Sequence, residues 1–116
     1  GSRETARAIY QQMYDEASDT QTRNNAEFRL VEIDSQDELD AIRSVLKTYS
    51  ERNGACPQSL SDILPSLVSV QLPKGKNFRV DAANNLIDQS GSPYLLDRVT
   101  CDVPLAPQRT KPAQQR

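Results

Sequence analysis

Between residues 53 and 57 the chain reads Asn-Gly-Ala-Cys-Pro, and this run divides the sequence into two halves of different pattern. Gly54 fits the position just past a helix end, where a left-handed backbone meets no Cβ clash. Pro57 then forbids the helix to resume. Upstream of the run, apolar residues recur at helical spacing. Downstream, short apolar pairs and triplets alternate with Gly, Pro, Asn and Ser. The fold class expected is α+β: an N-terminal helical hairpin with a long second helix, then a short helix and a small antiparallel β-meander.

The first helix is expected over residues 4–18. Ala6, Ile9, Tyr10, Met13, Tyr14 and Ala17 fall on one apolar stripe. Ser18-Asp19-Thr20 supplies a break and an N-cap. Such a helix is too short to be stable alone in water and requires a packing partner. The second helical segment runs from Gln21 to Asn53 and carries two stripes. Ala26, Leu30 and Ile33 make one; Leu39, Ile42, Val45, Leu46 and Tyr49 make the other. At about 100° per residue, Ala26 and Leu46 lie about 160° apart around the axis. Two arrangements satisfy this: one long helix that buries opposite faces along its length, or a break near Asp34. Ser35-Gln36-Asp37-Glu38 has the form of a capping box and favours a break. The absence of Gly and Pro between Ala26 and Tyr49 favours a continuous or merely kinked helix, and the balance leans that way.

After Pro57, Ser59 is placed to cap a short helix in which Leu60, Ile63, Leu64 and Leu67 face inwards, with Pro65 limiting it. Leu72-Pro73-Lys74-Gly75-Lys76 reads as a turn. Strands are expected at 78–80, 86–87, 94–96 and 99–103, separated by turns at Asn84-Asn85 and at Ser90-Gly91-Ser92-Pro93. From Pro104 to Arg116 three Pro, three Gln and three basic residues follow without periodicity, the pattern of a disordered tail.

Composition excludes several function classes. The 116 residues contain no His, which removes Ser-His and Cys-His nucleophile pairs and almost every zinc site. A net charge of −2 argues against a nucleic-acid surface, whose affinity rests on Lys and Arg neutralising phosphates. No apolar run approaches the roughly 18 residues needed to span a bilayer. The opening Gly1-Ser2 has the form of a cloning remnant, so the sequence reads as a fragment of a longer protein. With 36% hydrophobic residues, two Phe and no Trp, the core must be small. In such a chain the two cysteines, Cys56 and Cys101, point to a disulfide and an oxidising compartment; two buried thiols are the alternative. The bridge would restrict the unfolded chain by about 4 kcal/mol in the loop-entropy treatment.

The punctuation of residues 39–103 resembles the soluble half of type II secretion major pseudopilins. The residues that carry the resemblance are Tyr49, Asn53, Gly54, Pro57, Leu60, Leu64, Pro73, Asp88, Gly91, Pro93 and Tyr94. The polar upstream segment departs from that family, in which a hydrophobic stretch precedes the helix. Ala8-Ile9-Tyr10, Glu16-Ala17 and the run Asn25 to Leu30 instead resemble the last turns of a tetratricopeptide-type array. Together these resemblances imply three segments: 1–34, the end of a helical repeat array; 35–103, a pseudopilin-like domain; and 104–116, a tail.

Three groups of side chains are candidates for chemistry or binding. Asp81, Asp88, Asp97 and Asp102 cluster in the meander, and the pseudopilin resemblance implies calcium as a candidate ligand for them; no EF-hand spacing is present and turn aspartates ordinarily cap their own backbone. Asp37, Glu38 and Asp40 read as acids in a helix's first turn, favourable to its dipole, rather than as a hydrolytic pair. Tyr10, Met13 and Tyr14 share one face, either as hairpin core or as a partner-binding surface. The function expected is a non-enzymatic interaction or assembly module of a longer exported or membrane-anchored bacterial protein. Its partner would be another protein or upstream repeats of the same chain, with membrane contact only through a segment absent from this sequence. The alternative is a pseudopilin or minor pilin without its membrane helix. The expected location is the periplasm or the outer face of the inner membrane, or the cytoplasm if the thiols are reduced.

Overall fold

The structure is a computed structural model that describes residues 2–104. Most of the expected tail therefore lies outside the described residues. Three helices and one small sheet follow in the order α1 (Ser2–Glu16), α2 (Thr20–Asn53), α3 (Leu64–Leu67), β1 (Arg79–Val80) and β2 (Leu86–Ile87). A 3-10 turn, Leu60–Ile63, leads directly into α3. The chain divides into two compact units between Asp37 and Glu38, so that α2 contributes its first half to one and its second half to the other.

The first unit is an antiparallel helical hairpin. Asp19 breaks the chain and caps α2: the Thr22 amide donates to its Oδ2 at 3.0 Å and the Arg23 amide to its carbonyl at 3.2 Å. The hydrogen bonds and proximity of Thr22, its side chain first, hold the Asp19 carboxyl below the ordinary carboxylate range. Ala26 and Ile33 are buried on the stripe the spacing assigns to this half of α2. Few apolar side chains accompany them, and the buried set is completed by Arg7, Asp34 and Ser35.

α2 does not break at Ser35. It is continuous for 34 residues, and the capping-box reading of Ser35–Glu38 is corrected accordingly. The side chains of this segment are engaged elsewhere. Asp34 and Asp37 accept from Arg7, while Glu38 is buried and accepts from Tyr94 and Gln89. With Glu38 committed to a residue 56 positions away, it is not available to cap a helix start beside it. The acids of this stretch are mid-helix residues and not a first turn near the positive end of a dipole.

The second unit has one apolar core. Leu39, Ile42 and Leu46 of α2 meet Leu60, Ile63 and Leu67, and Leu86, Tyr94 and Val103 complete it. Burying each such side chain contributes about 1.5–3 kcal/mol. Gly54 ends α2 in a left-handed turn, φ 73°, with its amide donating to Ser50 at 2.8 Å. Pro65 falls in the first turn of α3, where its missing N–H costs nothing. It helps begin that helix rather than limiting the one before it. Ser59 stands at the start of the 3-10 turn but makes no side-chain cap; its Oγ lies 2.7 Å from that of Ser61.

The meander is smaller than the pattern suggests. β1 and β2 pair antiparallel, Arg79 with Ile87 and Val80 with Leu86, and no other strand forms among the described residues. The segments expected as third and fourth strands are reduced to isolated bridges, Ile87 with Pro93 and Asp97 with Asp102. Pro93 lacks a ladder donor. Asp97 folds its own backbone into a turn by accepting from Val99 and Thr100 at 2.9 and 3.3 Å, and Cys101 sits at φ 55°, outside the extended region.

Candidate functional site

Each candidate belongs to one unit. In the hairpin, Tyr10 and Tyr14 are half-buried and Met13 is 40% exposed, so the face expected of these three is only partly covered. Ile9, one helical turn before Met13, is 53% exposed. On α2, Phe28 and Val31 stand one turn apart at 37% and 38%. Their neighbour Arg29 lies with its guanidinium 5.7 Å from the Phe28 ring centre and pairs with Glu32 at 2.9 Å. Two pairs of large apolar side chains at helical spacing thus remain on a surface whose own buried apolar set is small.

The hairpin also holds an ionic cluster. Arg7 is buried and its guanidinium bonds to Asp34 and to Asp37; Arg3 reaches Asp37 at 2.9 Å. A guanidinium shared by two carboxylates satisfies the directional needs of all three groups. Arg7 was not among the residues singled out from sequence. The signal for it was present as Arg3 and Arg7 four apart on α1, matched by Asp34 and Asp37 three apart on α2.

In the second unit the four meander aspartates do not converge, and among the described residues no group of three metal-capable side chains stands together. Each closes its own turn or pairs with a cation. Asp81 accepts from the amides of Asn85 and Ala83, both at 2.9 Å, and these bonds, that of Asn85 first, hold its carboxyl below the ordinary range. Asp88 is buried and accepts from the Ser90 and Ser92 amides at 2.8 and 3.1 Å and from the Ser90 hydroxyl at 2.6 Å. Asp97 caps its own turn. Asp102 binds Arg43 at 2.8 Å, and the same guanidinium donates to the Val103 carbonyl at 3.0 Å. Of the three acids weighed as a hydrolytic pair, Asp37 serves the ionic cluster, Glu38 serves the Tyr94 contact, and Asp40 is exposed.

Cys56 and Cys101 are brought to disulfide distance, with Cα atoms 5.7 Å apart. The Ser50 hydroxyl lies 3.2 Å from the Cys101 sulfur, and Arg98 Nε donates to the Pro57 carbonyl at 3.2 Å. The end of α2 and the 97–103 segment are thereby held together. Inside the same unit the Tyr94 hydroxyl donates to Glu38 at 2.6 Å, and Gln89 donates to the other carboxylate oxygen at 2.7 Å.

The second unit also carries grooves. One, of about 330 Å³, runs beside Tyr49 and Arg52 of α2 and Ser66 and Ser69 at the end of α3. Another, of about 380 Å³, lies between the Ala83–Leu86 turn, the Gln58–Ser61 segment and Tyr94–Leu96. Leu60, Leu86 and Leu96 give it apolar walls, and among the described residues no charged side chain lines it. Among the described residues the side-chain amides of Gln58 and Asn84, both on its wall, make no hydrogen bond.

Among the described residues no helix is long and apolar enough to cross a membrane. Compared with known proteins, no family model matches the chain, and neither does any curated protein or solved structure.

Proposed function

We propose that the chain is a non-enzymatic protein-interaction module of a longer exported or membrane-anchored bacterial protein. The observation that carries this reading is the exposure of Ile9, Met13, Phe28 and Val31 on a hairpin that buries few apolar side chains of its own. Covering such pairs with another protein's side chains supplies the apolar burial that the hairpin lacks, at about 25 cal/mol per Å². The disulfide-distance cysteine pair supports an oxidising compartment such as the periplasm.

The test is site-specific photocrosslinking in the source cells, with benzoylphenylalanine placed in turn at Ile9, at Phe28 and at the exposed control position Glu51. A discrete adduct from positions 9 and 28, absent from 51, is the expected result. Equal behaviour at all three positions would remove the reading. A second reading, the soluble part of a pseudopilin or minor pilin, is favoured by the uninterrupted α2 that runs into the Gly54 turn. It is opposed by the chain reversal at Asp19, which interrupts what would be a single stalk.

A further inference from the structure

Asn53-Gly54 is the one Asn-Gly pair in the chain, and both residues are exposed. Such a pair has a covalent reaction of its own. The glycine nitrogen attacks the asparagine side-chain carbonyl carbon: the N–Cγ bond forms and the Cγ–Nδ2 bond breaks. The peptide proton passes to solvent base, and Nδ2 leaves as ammonia after taking a proton from water. Water then opens the cyclic imide at either carbonyl, giving aspartate or isoaspartate with no change of oxidation state. A following residue without a Cβ obstructs the attack least, and a Cβ built at Gly54 would meet nothing within 4 Å. The folded chain nevertheless engages both reacting groups. The Gly54 amide donates to the Ser50 carbonyl at 2.8 Å, so its proton is held. Asn53 Nδ2 donates to the Tyr49 carbonyl at 2.9 Å, which draws the side chain back along α2.

Both bonds belong to the last turn of α2, and chain ends open locally at little cost unless something holds them. This end is held from two sides. Tyr49 packs against the apolar core, and the Ser50 hydroxyl lies 3.2 Å from the Cys101 sulfur. Cys56, two residues beyond Gly54, is paired with Cys101, their Cα atoms 5.7 Å apart. Asn53-Gly54 thus lies in a short segment whose two ends, Ser50 and Cys56, both meet Cys101. We propose that Asn53 is a redox-gated deamidation site. It is closed while the Cys56–Cys101 bridge holds the last turn of α2. It opens when a dithiol reductant takes the bridge to two thiols and is itself oxidised to a disulfide. Deamidation then makes the opening permanent. It adds a carboxylate at the helix C-terminus, where the dipole is already negative, and isoaspartate lengthens the backbone by one carbon within the turn. The inference is independent of the interaction-module reading.

The test uses the whole protein in mildly alkaline buffer in three states: oxidised, reduced by a dithiol, and unfolded in urea. Deamidation at Asn53 is read by peptide mass spectrometry after digestion in acid, and exchange of the Ile42 and Leu46 amides reports whether the core stays closed. The oxidised protein is expected to react at least about tenfold more slowly than the unfolded chain, the effect of a hydrogen bond that must first open. Reduction is expected to recover most of that factor, in excess of the fraction of time for which the core amides are open. Equal rates in the oxidised and unfolded protein would show that the turn protects nothing and overturn the gate. So would a reduced protein that reacts as slowly as the oxidised one. Acceleration only in step with the core amides overturns it too, because the bridge would then act through global stability alone. Asn53→Asp in the oxidised protein supplies the charge of the product and is expected to speed exchange of the Gly54 amide, corrected for its intrinsic rate, by about threefold. An unchanged rate there would overturn the permanence.

Discussion

In the hairpin the buried side chains include Arg7, Asp34 and Ser35 beside Ala26 and Ile33, whereas the second unit buries nine apolar residues in one cluster and adds a disulfide-distance pair. The same helix, α2, serves both. The difference shows how one helix can be held in two ways. Apolar burial is non-directional and tolerates small shifts of register. A guanidinium between two carboxylates is directional, and fixes which turn of α1 faces which turn of α2. The hairpin is therefore well specified but weakly cohesive, and the second unit is cohesive by itself.

The largest effect expected from this comparison is on the second unit. Replacing both cysteines, Cys56→Ala with Cys101→Ala, should lower its stability by about 4 kcal/mol, the loop-closure entropy returned to the unfolded chain. Amide exchange read along α2 locates the loss. Faster exchange is expected in residues 38–53, with residues 20–37 changed much less. If the two halves accelerate equally, the units unfold as one body and the contrast drawn above is wrong.

Next in size is the ionic cluster. Arg7→Ala leaves Asp34 and Asp37 without their shared guanidinium and should cost the hairpin about 3 kcal/mol, the low end for breaking a buried pair, because about a tenth of each side chain still meets solvent. Arg7→Met with Asp34→Leu exchanges the ions for apolar groups and should recover most of that loss. Urea titration followed by hairpin amide exchange reports both. A cost for Arg7→Ala under about 1 kcal/mol would place the cluster with ordinary surface pairs.

These partners explain which parts of the fold were legible in the sequence. The stop at Gly54, the break at Asp19, the cysteine pairing and the opposite stripes of α2 each rest on local chemistry or on periodicity, and each is seen. α2 runs on through Ser35, the side to which the sequence leaned; the capping-box form of Ser35–Glu38 argued the other way because the meaning of an acid in a helix depends on what it touches. Tyr94 lies 56 residues from Glu38, a separation at which spacing carries no signal, and the Arg7–Asp34 pair left one only in the matched spacing of Arg3 with Arg7 and of Asp34 with Asp37. Pro65 misled because proline marks the first turn of a helix as readily as it follows an end. The segment 94–96 has the side-chain pattern of a strand but forms none: side-chain pattern reports faces, and pairing depends on where the neighbouring backbone runs. The groove beside it left no trace in the spacing, since its walls come from three separate segments.

The smallest effect separates the units by pH. Asp19 reports the hairpin and Asp81 the second unit, and both carboxyls are held below the ordinary value, Asp19 first by the Thr22 hydroxyl and Asp81 first by the Asn85 amide. A carboxyl whose folded pKa is lowered binds its proton more readily in the unfolded chain. Its contribution is therefore fully present above about pH 4, the ordinary carboxylate range, and is lost as the pH falls through the lowered folded value. Amide exchange at Thr22 and at Asn85, corrected for the intrinsic pH dependence of exchange, should show protection constant at neutral pH and declining in acid below that range. Asp19→Asn keeps an acceptor at the cap while removing the titration, so Thr22 should then stay protected in acid while Asn85 still loses protection. Should both amides respond to that single substitution, the cap of α2 would govern the second unit as well, and the division between Asp37 and Glu38 would not be a division in stability.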